Sequence, residues 1–279
     1  MYDIIPSQSP ENNPGGKRGA RLTENSTFSV AVARETFAIL LELGEQFDLP
    51  AEEMAKWKEI HDHLPAYRIN KDGALAEWIP EQYQDNYAHR HNSHLYPVYP
   101  GMELVGPNVN PELDQAVRVA LDKRFKYDTS SAHGLMHAAL MASRLHDVEK
   151  VRVNLHRFAT RNYLSNGFVT SHDPNHKVYN LDAALSLPRL LMEMLVFSRP
   201  GYVDFMPGWP ADYPDGSVQG ILVRGGHKID ISWSGGKLES AVLYAGFDGK
   251  CTVRYGDISR DLKLEAGQAY RIGPALQSL

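Results

Sequence analysis

The spacing of apolar positions changes character near residue 200, and that change divides the chain. From about Ser26, the runs Phe28-Ser29-Val30-Ala31-Val32-Ala33 and Phe37-Ala38-Ile39-Leu40-Leu41 are apolar nearly all round, which predicts a buried inner helix. A shorter amphipathic helix is expected after Pro50, with Met54, Trp57 and Ile60 on one face. Asn110-Pro111-Glu112 reads as an N-cap, a proline at the first helical position and an acid in the first turn, and Leu113, Ala116, Val117, Ala120 and Leu121 follow at helical spacing. Three more helices are predicted. One covers about Ala132 to Leu145, and the next starts at Asp147 with Val148, Val151, Leu155 and Phe158 on one face. The third runs from about Asp182 to Phe197, and the six helices are expected to join as antiparallel hairpins.

After Gly201 the period shortens to two. Ser217 to Arg224 and His227 to Trp233 alternate as strands, Ser234-Gly235-Gly236 turns the chain, and Lys237 to Tyr244 returns. Cys251 to Tyr255 and Ala269 to Ile272 complete the expectation of a small antiparallel sheet. The boundary is set near Ser198-Arg199-Pro200-Gly201, giving a helical domain over 1–200 and a β-domain over 201–279.

Composition narrows the classes. Net charge is −5, and no basic run is longer than the Lys17-Arg18 pair, so the footprint of phosphate neutralisation is missing and no nucleic-acid partner is expected. No stretch approaches the ~18 consecutive apolar residues of a membrane span, and no membrane association is expected. Cys251 is the sole cysteine, which excludes an internal disulfide and a cysteine-based zinc site and suits a small packed side chain. Met1 to Pro6 has neither a basic nor an apolar signal region, so localisation is left open.

Two loop segments and one acid could carry chemistry. His89-Arg90-His91-Asn92-Ser93-His94-Leu95-Tyr96-Pro97-Val98-Tyr99-Pro100-Gly101 lies in the long helix-poor region from Leu64 to about Gly106. Its donors, acceptors and aromatic faces suit a polyhydroxylated ligand, because Arg offers a planar fork and rings cover sugar C–H faces. The same residues leave two other readings open: a metal held by His89, His91 and His94, or a surface loop with fortuitous histidines. In Pro6-Ser7-Gln8-Ser9-Pro10-Glu11-Asn12, two prolines pin the loop, so Glu11 is either a solvated acid or one held in a fixed direction. Asp182 precedes an apolar helical run and reads as its N-cap, a place from which a carboxylate can also face a cleft.

These residues carry a resemblance. Pro6 to Asn12 resembles the Pro-Ser-x-Ser-Pro-Glu-Asn motif of glycoside hydrolase family 95, and His89 to Tyr96, with Tyr99-Pro100-Gly101, resembles its His-Arg-His-x-Ser-His-Leu-Tyr segment. Leu64-Pro65-Ala66-Tyr67 and Gly73-Ala74-Leu75-Ala76-Glu77-Trp78 are similar to the family's Leu-Pro-Pro-Tyr and Gly-x-Leu-x-Glu-Trp run. Trp209-Pro210, Gly216 to Gly220, Arg224-Gly225-Gly226 and Gly236-Lys237-Leu238 are similar to its C-terminal β-domain, all in the family's order.

The resemblance implies a mainly α chain, the second half of an (α/α)6 barrel, followed by a small antiparallel β-sandwich-like domain. It implies an inverting α-L-fucosidase, with α-L-galactoside hydrolysis a close variant, acting on a fucosylated glycan without metal or cofactor. A non-catalytic carbohydrate-binding remnant is the alternative from another class. Glu11 matches the general acid, and Asp182 matches the carboxylate that polarises a water-activating asparagine. Arg90 and His91 match sugar-binding residues, and His89, His94 and Trp78 complete the expected substrate-binding set. Two departures stand out: Asn180-Leu181-Asp182-Ala183-Ala184 replaces an Ile-Asp-Gly-Asn type of run, and Asp128 to His133 replaces a Thr-Gly-Trp-Ser helix start. The family's catalytic asparagines lie upstream of the Pro-Ser-x-Ser-Pro-Glu-Asn motif. The chain alone is therefore expected to be inactive, or to act with a complementary N-terminal fragment or by self-association through an open barrel edge, and a secreted or periplasmic parent is implied.

Overall fold

The computed structural model describes residues 2–16, 22–171 and 178–278; Lys17 and Arg18 lie outside them. Among the described residues there are six α-helices followed by a mixed β region. The chain divides into two compact units, Met1–Thr129 and Ser130–Leu279.

In the first unit, helix α1 (Thr27–Gln46) starts at Ser26, whose hydroxyl accepts the Ser29 N–H at 3.2 Å. Helix α2 (Ala51–His63) follows a short connector and lays Met54 and Trp57 over Gly44 of α1, where a Cβ would collide with the Met54 side chain. The expected all-round burial of α1 does not hold. Val30 and Ala31 are buried, while Ile39 and Leu43 are 48% and 41% exposed. An apolar run without a polar stripe cannot say which faces find a partner. Residues 64–110 contain no α-helix, only a 3-10 turn at Ser93–Leu95. Helix α3 (Pro111–Phe125) is capped as expected, the Asn110 side chain accepting from Glu112 and Leu113 N–H at 2.8 and 3.4 Å. Its buried face holds Ala116, Val117, Ala120 and Leu121, and the Ala116 carbonyl accepts Leu75 N–H at 2.9 Å, which ties the helix-poor region to it.

In the second unit, helix α4 (Ala132–Arg144) is buried along most of its length, with Gly134, Ala138, Ala139 and Ala142 keeping it slim. Helix α5 (Val148–Arg161) starts where expected: Asp147 accepts Lys150 N–H at 3.0 Å, and Val151 and Phe158 are buried. Helix α6 (Leu181–Leu195) corrects one reading. Its cap is Asn180, which accepts Ala183 N–H at 2.7 Å; Asp182 stands inside the first turn. Either side chain can cap, and helical geometry begins at Leu181, two residues too early for Asp182 to be the cap.

Eight strands follow: β1 (Val196–Arg199), β2 (Tyr202–Phe205), β3 (Gly216–Val223), β4 (His227–Ser234), β5 (Lys237–Tyr244), β6 (Gly249–Tyr255), β7 (Ile258–Leu264) and β8 (Ala269–Ile272). They make two four-stranded sheets, ordered β1-β2-β6-β7 and β3-β4-β5-β8. The second sheet is antiparallel throughout, but β2 and β6 pair in parallel, so the expected single antiparallel sheet becomes two, one of them mixed. Strands of both sheets feed one core, including Val203, Phe205, Ile229, Ile231, Leu243, Val253 and Leu264. The β4–β5 turn is the one read from Ser234-Gly235-Gly236, whose glycines take φ +59° and +73°. Cys251 is packed in this core, and burial pushes its thiol up to about 11.

Candidate active site

Glu11 sits on a loop whose neighbours are all anchored. Ser7 and Thr23 exchange backbone bonds at 2.7 and 2.8 Å, and the Ser7 hydroxyl donates to that of Ser26 at 2.9 Å. Ser9 Oγ donates to Glu77 Oε1 at 2.7 Å, and Asn12 Nδ2 donates to Glu77 Oε2 at 2.6 Å. The Pro10 carbonyl accepts the Ser93 hydroxyl. Ser9 and Asn12 are buried, while the Glu11 side chain is 62% exposed. The loop is therefore fixed from behind and presents one carboxylate outward.

The Ser93 bond also brings in the second segment. Arg90 donates to Glu11 Oε2 at 2.6 Å, and His91 Nε2 lies 3.5 Å from the same oxygen. His89 packs its ring on that of His91 with centroids 5.1 Å apart, and its Nδ1 accepts the His91 backbone N–H at 3.1 Å. That acceptor role assigns the His89 proton to Nε2 when the ring is neutral. Four of the expected site residues thus meet in one place, as a carboxylate facing a guanidinium and two imidazoles.

His94 and Trp78 stand elsewhere, as does Tyr96 of the same segment. His94 is 1% exposed; burial, and then the Arg124 guanidinium beside it, hold its imidazole well below the usual value, so it stays neutral. Trp78 is 0% exposed, a position that backs the site and offers no face to a ligand. Tyr96 packs edge-on against Phe28 and donates to Glu35, so it faces α1 rather than Glu11. His89, His91 and His94 do not form a ligand cage: among the described residues no group of three or more His, Cys, Asp or Glu side chains could hold a metal ion. Nor is any described helix long and apolar enough to cross a membrane.

Asp182 belongs to the second unit, exposed on the first turn of α6. There His133 and His137 meet edge-on at 5.3 Å on α4. Burial, and then the His133 charge, push the His137 imidazole down to about 4, against a smaller opposing pull from Asp182. Asp182 therefore lies within electrostatic reach of a neutral imidazole.

The sequence reading passed over the residues that organise the Glu11 loop. Glu77 is 2% exposed and also accepts from Arg124 at 2.8 Å; Arg124 in turn donates to the Asn86 carbonyl at 2.7 Å. Asn86 and Asn12 exchange two more bonds at 2.8 and 2.9 Å. Burial pushes the Glu77 carboxyl up, and Arg124, Ser9 and Asn12 pull it back. The available signal was a single acid between Ala74-Leu75-Ala76 and Trp78, since a charge set in an apolar stretch needs a buried partner.

Known proteins match this chain along nearly its whole length. The glycosyl hydrolase family 95 catalytic domain model matches residues 1–195, and the glycoside hydrolase family 95 C-terminal domain model matches residues 197–272. "Alpha-L-fucosidase 2" of Arabidopsis thaliana is 30% identical across 98% of this chain and 33% of its own length. "Probable alpha-fucosidase A" of Aspergillus oryzae is 28% identical across 82% of this chain and 34% of its own length. The chain thus spans about a third of the length of the curated relatives it matches. Among solved structures, "Putative kojibiose phosphorylase from human microbiome" aligns with TM-score 0.51 over 93% of this chain and 41% of its own, at 10% identity, a likeness of fold alone. With two of the family's domain models matched in order along the chain, the protein belongs to glycoside hydrolase family 95.

Proposed function

We propose that the chain supplies the acid side and the sugar-binding side of an inverting glycosidase that removes terminal α-linked L-fucose, α-1,2-linked to galactose, from glycans. The observation that carries the reading is the Glu11–Arg90–His91 cluster on two anchored loops. Inversion needs a protonated acid over the leaving oxygen and an activated water on the opposite face of the sugar. Glu11 takes the first role. Arg90, His91 and His89 bind sugar hydroxyls, with His94 and Trp78 supporting them from the interior.

Asp182 takes the base side, polarising an amide acceptor contributed by a complementary N-terminal segment. An amide is a weak base, and a carboxylate bonded to its NH₂ strengthens the oxygen that receives the water's proton. In this reading residues 1–200 are the second half of an (α/α)6 barrel and residues 201–279 its β-domain. The names of the two fucosidase relatives and their collinear match support the sugar class.

The test, run on the chain together with a complementary N-terminal segment, is release of L-fucose from an aryl α-L-fucoside and from fucosyl-α-1,2-galactose, with calorimetric titration of L-fucose on the chain alongside. The expected results are turnover abolished by Glu11→Gln, β-L-fucose as the first anomer released, and fucose affinity reduced at least ~10-fold by Arg90→Ala. Fucose affinity unchanged by both Arg90→Ala and His91→Ala would sink the proposal.

A further inference from the structure

The buried charge pair behind the loop has a geometry that fold stability alone does not require. Glu77 could be satisfied by Arg124 and any two nearby donors. Its donors are instead Ser9 and Asn12, the residues two before and one after Glu11. Between them, the Pro10 carbonyl is taken by Ser93, of the segment that carries Arg90 and His91. Arg124 reaches around to the Asn86 carbonyl, which also accepts Asn12 Nδ2, so the amide is clamped from two sides. Ser9, Asn12, Glu77 and Arg124 are each 2% exposed or less. A short loop held at both flanks by one carboxylate has a single direction in which to present the side chain between them.

We propose that Glu77 and Arg124 form a positioning pair that sets the direction of the Glu11 carboxylate and keeps it against Arg90 and His91. The proposal rests on the reading of Glu11 as the acid, and deepens it by assigning two residues that never touch the sugar. The geometry specifies which changes matter. Glu77→Gln keeps the volume but turns an NH₂ toward donors, so either the Ser9 bond at Oε1 or both the Asn12 and Arg124 bonds at Oε2 are lost. Asn12→Asp placed on top lets the new amide at position 77 donate to the new carboxylate at position 12 and keeps one negative charge beside Arg124, while giving up the bond to the Asn86 carbonyl. Ser9→Ala removes one flank alone and is the gentler companion should Glu77→Gln fail to fold.

The experiment is carbon-13 NMR of the full chain with labelled glutamate, the Glu11 carboxyl resonance being assigned by its loss in Glu11→Gln. In the unaltered protein Arg90→Ala shifts that resonance, because the guanidinium lies at 2.6 Å. In the Glu77→Gln and Ser9→Ala backgrounds the Arg90→Ala shift is expected to shrink by half or more, and in Asn12→Asp/Glu77→Gln to return. L-fucose affinity should follow the same order, falling ~10-fold or more in Glu77→Gln and recovering within ~3-fold in the double variant. A full Arg90→Ala shift in the Glu77→Gln or Ser9→Ala background, whatever the loss of melting temperature, would make the pair a fold stabiliser only and overturn the assignment. If the unaltered chain binds no fucose, the functional reading fails by itself, while the resonance still judges the positioning.

Discussion

Removing either member of the Arg144–Glu193 pair should destabilise the second unit, and removing both should cost less than the sum of the two. Arg144 donates to both Glu193 oxygens, from Nε at 3.0 Å and from NH2 at 2.7 Å, with 0% and 1% of the two side chains exposed. The guanidinium also stacks 4.9 Å from the Phe197 ring, joining the ends of α4 and α6 to strand β1. Burial pushes the Glu193 carboxyl up, but the Arg144 bonds and the charges of Arg144 and Arg189 hold it below its usual value. Glu193→Leu therefore takes the carboxylate away from a fully buried guanidinium, a loss of about 3–5 kcal/mol. Arg144→Met removes both bonds and the ring contact and leaves the buried carboxylate Arg189 on Oε1, a loss in the same range of about 3–5 kcal/mol. The double variant, with no buried charge left at either position, should be more stable than Glu193→Leu alone. Urea unfolding followed by circular dichroism reads all three. With a slope near 2 kcal/mol per molar, Glu193→Leu lowers the midpoint by about 2 M. A double variant whose loss is the sum of both would refute the reasoning.

Other consequences can be checked on the same material. His137 is held down to about 4, below its unfolded value of 6.5, so the unfolded chain takes up its proton first. Stability should fall as pH drops from about 6.5 toward 4, and His137→Gln should flatten that window by up to about 2 kcal/mol in urea midpoints at pH 7.5 and 5. A Cβ at Gly246 would meet the Gly226 carbonyl, which is backbone and cannot yield; Gly246→Ala should cost about 2 kcal/mol in thermal melts. Asn180→Ala should cost about 1 kcal/mol, whereas Asp182→Ala should leave stability nearly unchanged, because the cap belongs to Asn180.

The helices were legible where a local code exists. Asn110-Pro111 and Asp147 announce starts through their own side chains, and Ser234-Gly235-Gly236 announces a hairpin through positive φ. Strands β1 and β2 are four residues each, too short for a period to register, and β7 exposes Ile258 while burying Leu262 and Leu264, which blurs its alternation. The candidate site shows the same division. Glu11, Arg90 and His91 were singled out as chemistry on loops, and they meet. What makes them meet is a salt bridge between residues 47 positions apart, and the seam between helices and strands rests on another spanning 49. Neither partner has a neighbour in sequence that points to the other. An isolated buried charge in an apolar stretch says only that a partner exists, because its desolvation must be offset somewhere. Helix α3 and the 73–78 run had to be docked before Arg124 could be matched with Glu77, and only then does the Pro-Ser-Gln-Ser-Pro-Glu-Asn loop become a rigid mount. The motif supplies the carboxylate, and tertiary contacts remote in sequence anchor the loop that carries it.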